Sequence, residues 1–148
     1  MKKKIVLFAL ALTLVFTSCA RAQQYDSEGD FYYEIQDGKV TITKYIGTKQ
    51  EVRIPPQIRR TPVTEIGREA FRRVYINSVV IPNSVAIIGD GAFKDNQLTS
   101  VIIGNNVTTI GDGTNGYGAF MNNQLTSVVI PDSVTRIEIS AFDFFWNT

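Results

Sequence analysis

The chain has 148 residues, 15 Lys and Arg against 14 Asp and Glu, no His and one Cys. That length holds one domain, and an apolar content of 44% excludes wholesale disorder. Without His there is no Ser-His-Asp or Cys-His nucleophile, no imidazole proton shuttle and no His-ligated zinc; a lone Cys makes neither an internal disulfide nor a Cys-rich metal site.

The chain opens on Lys2, Lys3 and Lys4, followed by an apolar run of 12 residues, Ile5–Phe16. The run suits a signal peptide and is too short for a spanning helix, which needs about 20 residues. Two cleavage readings stand side by side. Ala20-Arg21-Ala22 is a small-x-small site with a cut before Gln23, whereas Phe16-Thr17-Ser18-Cys19 resembles a bacterial lipobox with Phe16 in place of the usual Leu. The second predicts a signal peptide over residues 1–18 and lipidation of Cys19. Acyl chains contribute roughly 0.8 kcal/mol per buried CH₂, so several of them hold a protein at a membrane. Residues 19–30, with Gln23, Gln24 and the acidic stretch Asp26 to Asp30, are predicted to form a polar tether.

Without the three leading lysines, the 15 bases fall to 12 against 14 acids. A weakly acidic chain is a poor partner for nucleic acid, which requires concentrated positive charge. The remaining charge is uneven. Asp26, Glu28, Asp30, Glu34 and Asp37 form an acidic lead-in, and Arg59, Arg60, Arg68, Arg72 and Arg73 form a basic group opposed by Glu65 and Glu69.

From residue 31 onward the dominant signal is internal repetition. Ile76-Asn-Ser-Val-Val-Ile-Pro82, Leu98-Thr-Ser-Val-Ile-Ile-Gly104 and Leu125-Thr-Ser-Val-Val-Ile-Pro131 align, and each continues to an Ala-Phe pair. With the earlier Ala70-Phe71, the pairs place Phe71, Phe93, Phe120 and Phe142 at spacings of 22, 27 and 22. The longer spacing carries an insertion of five residues within Gly111–Gly118. A period near 22 predicts a solenoid whose coils bury their apolar faces against one another. Within a coil, Val101 and Ile103 share an inward strand face, with Leu98 leading in from the same side, and Val107, Ile110, Ala119 and Phe120 form a second inward set. Asn96 and Asn123 are read as turn amides bonded to backbone.

The pattern L-T-S-V-x-I-P-x-S-V-T-x-I-G-x-x-A-F resembles the BspA-like, or Treponema-type, bacterial leucine-rich repeats, and Leu125–Ile137 follows it almost residue for residue. The resemblance covers residues 31–148. It implies a leucine-rich-repeat solenoid of four to five coils, with a parallel β-sheet on the concave side and turns with short 3-10 or helical segments on the convex side. Departures are Asn96 and Asn123 where Cys is frequent, and Ile137-Glu138-Ile139-Ser140 where Ile-Gly-x-x is usual. The apolar ends of the solenoid need covers. Phe31, Tyr32, Tyr33 and Ile35, with a hairpin-like lead-in of Val40, Ile42, Tyr45 and Ile46, are expected at the first end. Phe144, Phe145 and Trp146 are expected to cap the last.

The outward strand positions are the candidate ligand-binding residues. Ser78, Ser100 and Ser127 form a hydroxyl column, and Val80, Ile102 and Val129 an aliphatic one, with Glu51 and Arg53 at the matching positions of the first coil. Strand propensity alone also places β-branched residues there. The glycine-rich insertion lacks the calcium-loop spacing and the Lys-Ser/Thr of a phosphate cradle, and reads as a length variation or a ligand-contacting loop. The basic group reads as a solvated edge or as a site for acidic partners.

No cofactor, metal site or catalytic residue is assigned. The resemblance implies a noncatalytic protein-binding module on an exported bacterial protein, and the lipobox adds attachment through Cys19 to the outer membrane or cell surface. Host or extracellular-matrix proteins are then the partners; the alternative is a periplasmic or envelope assembly protein that binds itself or another envelope protein.

Overall fold

The computed structural model describes residues 25–111, 113 and 116–143. The signal peptide, Cys19, the aromatic trio Phe144, Phe145 and Trp146, and Asp112, Thr114 and Asn115 of the insertion lie outside the described residues.

Among the described residues ten short strands carry the fold: β1 (Phe31–Gln36), β2 (Lys39–Tyr45), β3 (Glu51–Arg53), β4 (Gln57–Ile58), β5 (Thr61–Ile66), β6 (Ser78–Val80), β7 (Ile87–Ile88), β8 (Ser100–Ile102), β9 (Thr109–Ile110) and β10 (Arg136–Ile137). β1 and β2 form an antiparallel hairpin. Its turn, Asp37-Gly38, has φ of 50° and 70°, the twin positive values of the tight turn that matches strand twist. β2 then pairs in parallel with β5, and the ladder continues through β7, β9 and β10. β3, β6 and β8 form a second parallel sheet. The coil is therefore a two-legged solenoid, one sheet on each leg, with the apolar core between them.

The second leg carries the turns expected of it but not the short 3-10 or helical segments. Among the described residues the only helical turn is Glu28–Asp30, ahead of the first strand. Too few residues separate Gly89 from Ala92-Phe93 to gain i→i+4 bonds, and a single helical turn is unfavourable to nucleate. Consecutive turns take their place. Ala92 N–H donates to Gly89 O at 3.2 Å and Lys94 N–H to Gly91 O at 3.0 Å. The remaining amides reach the next coil, as in Phe71 N–H to Ala92 O at 2.7 Å and Phe93 N–H to Ala119 O at 2.8 Å. Glycine is required at the start of this turn because backbones cross there: a Cβ on Gly89 would stand 2.9 Å from the Arg68 nitrogen. In the last coil Glu138 holds that position, its side chain lying over Gly111 and Gly113.

An aromatic file runs along the axis. Ring centroids are 5.2 Å apart for Tyr45–Phe71, 4.9 Å for Phe71–Phe93, 5.1 Å for Phe93–Phe120 and 5.3 Å for Phe120–Phe142. These spacings match the separation of paired strands, so one ring per coil stacks in register with the ladders. Phe31 closes the first end edge-on to Phe71 at 6.2 Å. The hairpin covers that end through Phe31, Val40, Ile42 and Tyr45, all buried. Tyr32, Ile35 and Ile46, expected to share in the cover, are exposed: alternation turns Tyr32 away from Phe31, and Ile35, opposite the buried Val40, lies on the edge strand with no further strand beside it.

Asn96 and Asn123 are buried and tie coil to coil. The Asn96 amide donates to Phe71 O at 2.6 Å and Phe93 O at 2.9 Å, while its Oδ1 accepts from Val74 N–H at 3.1 Å. Asn123 repeats the arrangement one coil on, donating to Phe93 O and Phe120 O and accepting from Leu98 N–H. Each carboxamide thus satisfies turn groups of two coils at once.

Candidate functional site

The outward columns form on β6 and β8. Parallel register sets Ser78 beside Ser100 and Val80 beside Ile102, and extends to Glu51 and Arg53 of β3. Between them Val52 and Val79 point into the core. Ser78 and Val80 are half-buried, Ser100 is exposed, and Ile102 is 59% exposed.

Ser127 and Val129 do not complete the columns as strand residues. The sheet ends at β8, and 127–129 form no ladder with it, although Val129 is 83% exposed. The last coil is held on its other leg, where β10 pairs with β9 and Phe142 stacks on Phe120. On the β8 leg a groove of about 320 Å³ opens instead, lined by Val101, Ile102, Ile103, Asn105, Val129 and Pro131. The aliphatic side chains remain neighbours, but across a seam rather than along a sheet.

A second groove of about 330 Å³ lies at the C-terminal ends of β6 and β8, with Tyr25, Val80, Pro82, Asn83, Ile102 and Asn105 among its lining residues. Sequence reasoning did not single out Tyr25, Asn83 or Asn105. Asn83 and Asn105 occupy one repeat position, 22 residues apart, and Asn105 N–H donates to Asn83 Oδ1 at 2.8 Å. Carrying the repeat alignment past Pro82 and Gly104 would have found them.

Tyr25 reaches this rim because the polar segment before β1 is docked over its described part. Asp26 N–H donates to Arg53 O at 2.9 Å, and Arg53 N–H donates to Asp26 Oδ2 at 2.7 Å. The buried Asp26 carboxylate also pairs with Lys49 Nζ at 2.5 Å. That hydrogen bond, with the charge of Asp26, holds the Lys49 ammonium above its ordinary pKa.

The basic group divides between two places. Arg59 N–H donates to Glu28 Oε1 at 3.0 Å, and the Arg59 guanidinium stands 6.0 Å above the Tyr33 ring. Arg72 and Arg73 lie on the turn edge, where they pair with Glu69 and Asp95 rather than Glu65. Asp95 also accepts from the Asn122 amide at 2.7 Å. Burial raises the Asp95 pKa, but the Asn122 bond, Lys94, Arg72 and Arg73 together hold it below its ordinary value.

The insertion is anchored at its described residues. Gly113 N–H donates to Asp90 Oδ1 at 3.0 Å, Tyr117 O accepts from Gly91 N–H at 3.0 Å, and Lys94 Nζ sits 3.8 Å above the Tyr117 ring. No helix among the described residues is long and apolar enough to cross a membrane.

The description of the family whose model matches is a BspA type leucine rich repeat region, in six copies, with residues 115–147 matched. The fold is similar to that of a leucine rich repeat protein of T. pallidum, at 24% identity and a TM-score of 0.62 over 80% of this chain. The chain spans 66% of that protein's length. It is also similar to a leucine-rich repeat protein from Bacteroides capillosus, at 27% identity and a TM-score of 0.61, covering 75% of this chain and 85% of the other. No curated protein matches the chain. The repeat and its stacked phenylalanines agree with that description, and the chain is similar to the BspA-type leucine-rich repeat proteins in repeat pattern and fold.

Proposed function

We propose that the chain is a noncatalytic protein-binding module on an exported, Cys19-lipidated bacterial protein, serving attachment at the cell surface. Its partner lies on the outer face of β3, β6 and β8, with a host or extracellular-matrix protein as the partner class. The observation that carries this reading is the register of Ser78 with Ser100 and Val80 with Ile102, which sets hydroxyl and aliphatic groups in parallel rows on a hydrogen-bonded sheet. A preorganised surface of this kind loses little conformational entropy on binding. The aliphatic row supplies apolar area and the hydroxyl row supplies hydrogen bonds. Val129 extends the apolar area across the seam.

The test is binding of the mature chain to a panel of matrix proteins, with the triple variant Val80→Glu, Ile102→Glu, Val129→Glu alongside. The expected result is binding by the parent and its loss in the variant, with an unchanged circular dichroism spectrum. A folded triple variant of full affinity would remove the sheet face from the proposal.

A second reading, an envelope assembly protein, is favoured by one observation. The inward residues Leu125, Val128, Ile130 and Phe142 of the last coil, with Phe120 of the coil before it, line a groove of about 280 Å³. A partner repeat or a second copy of the chain stacks there in this reading. Light scattering of the mature chain over a range of concentrations distinguishes a monomer from such an assembly.

A further inference from the structure

We infer that the rim at the C-terminal ends of β6 and β8, where Tyr25 meets Asn83 and Asn105, faces the lipid surface to which the chain is anchored. The inference rests on lipidation of Cys19, and it adds an orientation that the anchor alone does not supply.

The argument begins with chain length. Six residue steps separate Cys19 from Tyr25. At about 3.3–3.6 Å per residue, full extension spans only about 20 Å. The fold end of that span is fixed, because Asp26 is held through both backbone and side chain by Arg53 and through its carboxylate by Lys49. A lipid at Cys19 therefore draws one particular face toward the bilayer, the face on which Tyr25 lies. An anchor on a longer or undocked tether would leave the orientation free.

The chemistry of the rim suits that neighbour. None of the residues lining its groove is charged, in a chain of which 20% is charged. The exposed groups at its edge are Tyr25, Asn83 and Asn105. Tyrosine favours the headgroup level, where its ring is apolar and its hydroxyl is wet. An uncharged rim meets the headgroups without the cost of stripping water from ions. It needs little lipid affinity of its own, because the anchor holds it at high local concentration.

The orientation bears on the sheet face. The strands run toward the rim, so Ser78 and Ser100 stand two residues farther from the bilayer than Val80 and Ile102, about 7 Å at strand rise. A partner on this face is met close to the membrane, with the hydroxyl row outermost.

The test uses the full, acylated chain in vesicles of phosphatidylethanolamine and phosphatidylglycerol containing a headgroup-labelled nitroxide lipid. Cys19 is the single cysteine, so a second, introduced cysteine is the only free thiol once Cys19 is acylated. Asn83→Cys and Asn105→Cys place a fluorophore on the rim, and Gln36→Cys places one on the hairpin; all three positions are exposed. The expected result is quenching several-fold stronger at 83 and 105 than at 36. Equal quenching at the three positions, or stronger quenching at 36, overturns the orientation while leaving the anchor standing. Cys19→Ser separates the two claims. Its release from vesicles that retain the parent supports the anchor, whereas equal association of both chains, or of neither, overturns anchor and orientation together.

Discussion

Phe93 and Phe120 stack with centroids 5.1 Å apart and ring planes within 6°, although 27 residues separate them instead of 22. At the described end of the insertion Tyr117 packs on Lys94, and its carbonyl still receives the Gly91 amide. The repeat is therefore kept by the inward ring and the inter-coil hydrogen bonds, not by constant coil length.

This asymmetry sets opposite outcomes for two changes. Phe93→Ala removes a fully buried ring stacked on both sides, and is expected to cost about 3–5 kcal/mol. Deletion of residues 113–117 restores the shorter turn and is expected to cost about 1 kcal/mol, chiefly the Lys94–Tyr117 contact. Urea denaturation of the two variants checks the ranking, and a deletion as damaging as Phe93→Ala would give the insertion a structural role.

Asn96 presents a second sharp case. Replacement by Ala strands the Phe71 carbonyl and the amides of Val74 and Ile76, while the Phe93 carbonyl keeps the Asn123 amide. A loss of about 3 kcal/mol is expected, since each buried group left unmade costs about 1–3 kcal/mol and water recovers a part. Asn96→Asp is expected to be destabilising too, because a carboxylate accepts but cannot donate. Equilibrium unfolding at neutral pH measures both.

Asp95 predicts an acid limb to stability. Its folded pKa lies below the unfolded value, so its contribution is fully present above the unfolded pKa, near 4, and is lost as pH falls through the folded one. Asp95→Asn is expected to lower the urea midpoint at pH 7 and to converge on the parent near pH 2. A constant difference between the two chains across that range would contradict the assignment.

The β4–β5 turn carries Arg59 and Arg60 at φ of 50° and 62°, without the glycine such turns favour. Left-handed backbone costs a non-glycine residue roughly 1–2 kcal/mol, and glycine returns part of that as unfolded-state entropy. Arg60→Gly is expected to raise stability by about 0.5–1 kcal/mol in thermal or urea unfolding. Arg59 is the poorer target, since its amide bonds Glu28 and its guanidinium covers Tyr33.

The residue pattern by itself determined the coil period, the inward rows, a hairpin-like lead-in and the bonding of Asn96 and Asn123 to backbone, because each follows from local spacing and from one-sided apolar burial. It also named the outward rows of β6 and β8, since alternation within a strand is a local property. Only the tertiary structure decided three other matters. The second leg became a ladder with turns rather than helices, because its amides find better partners in the next coil than within their own. Ser127 and Val129 fell outside the sheet, because pairing is a relation between coils, and here the last coil is held by β10 and Phe142 on the opposite leg. The segment at Asp26 docked on Arg53 and brought Tyr25 to the rim, through contacts between residues 27 apart that no repeat or local motif encodes.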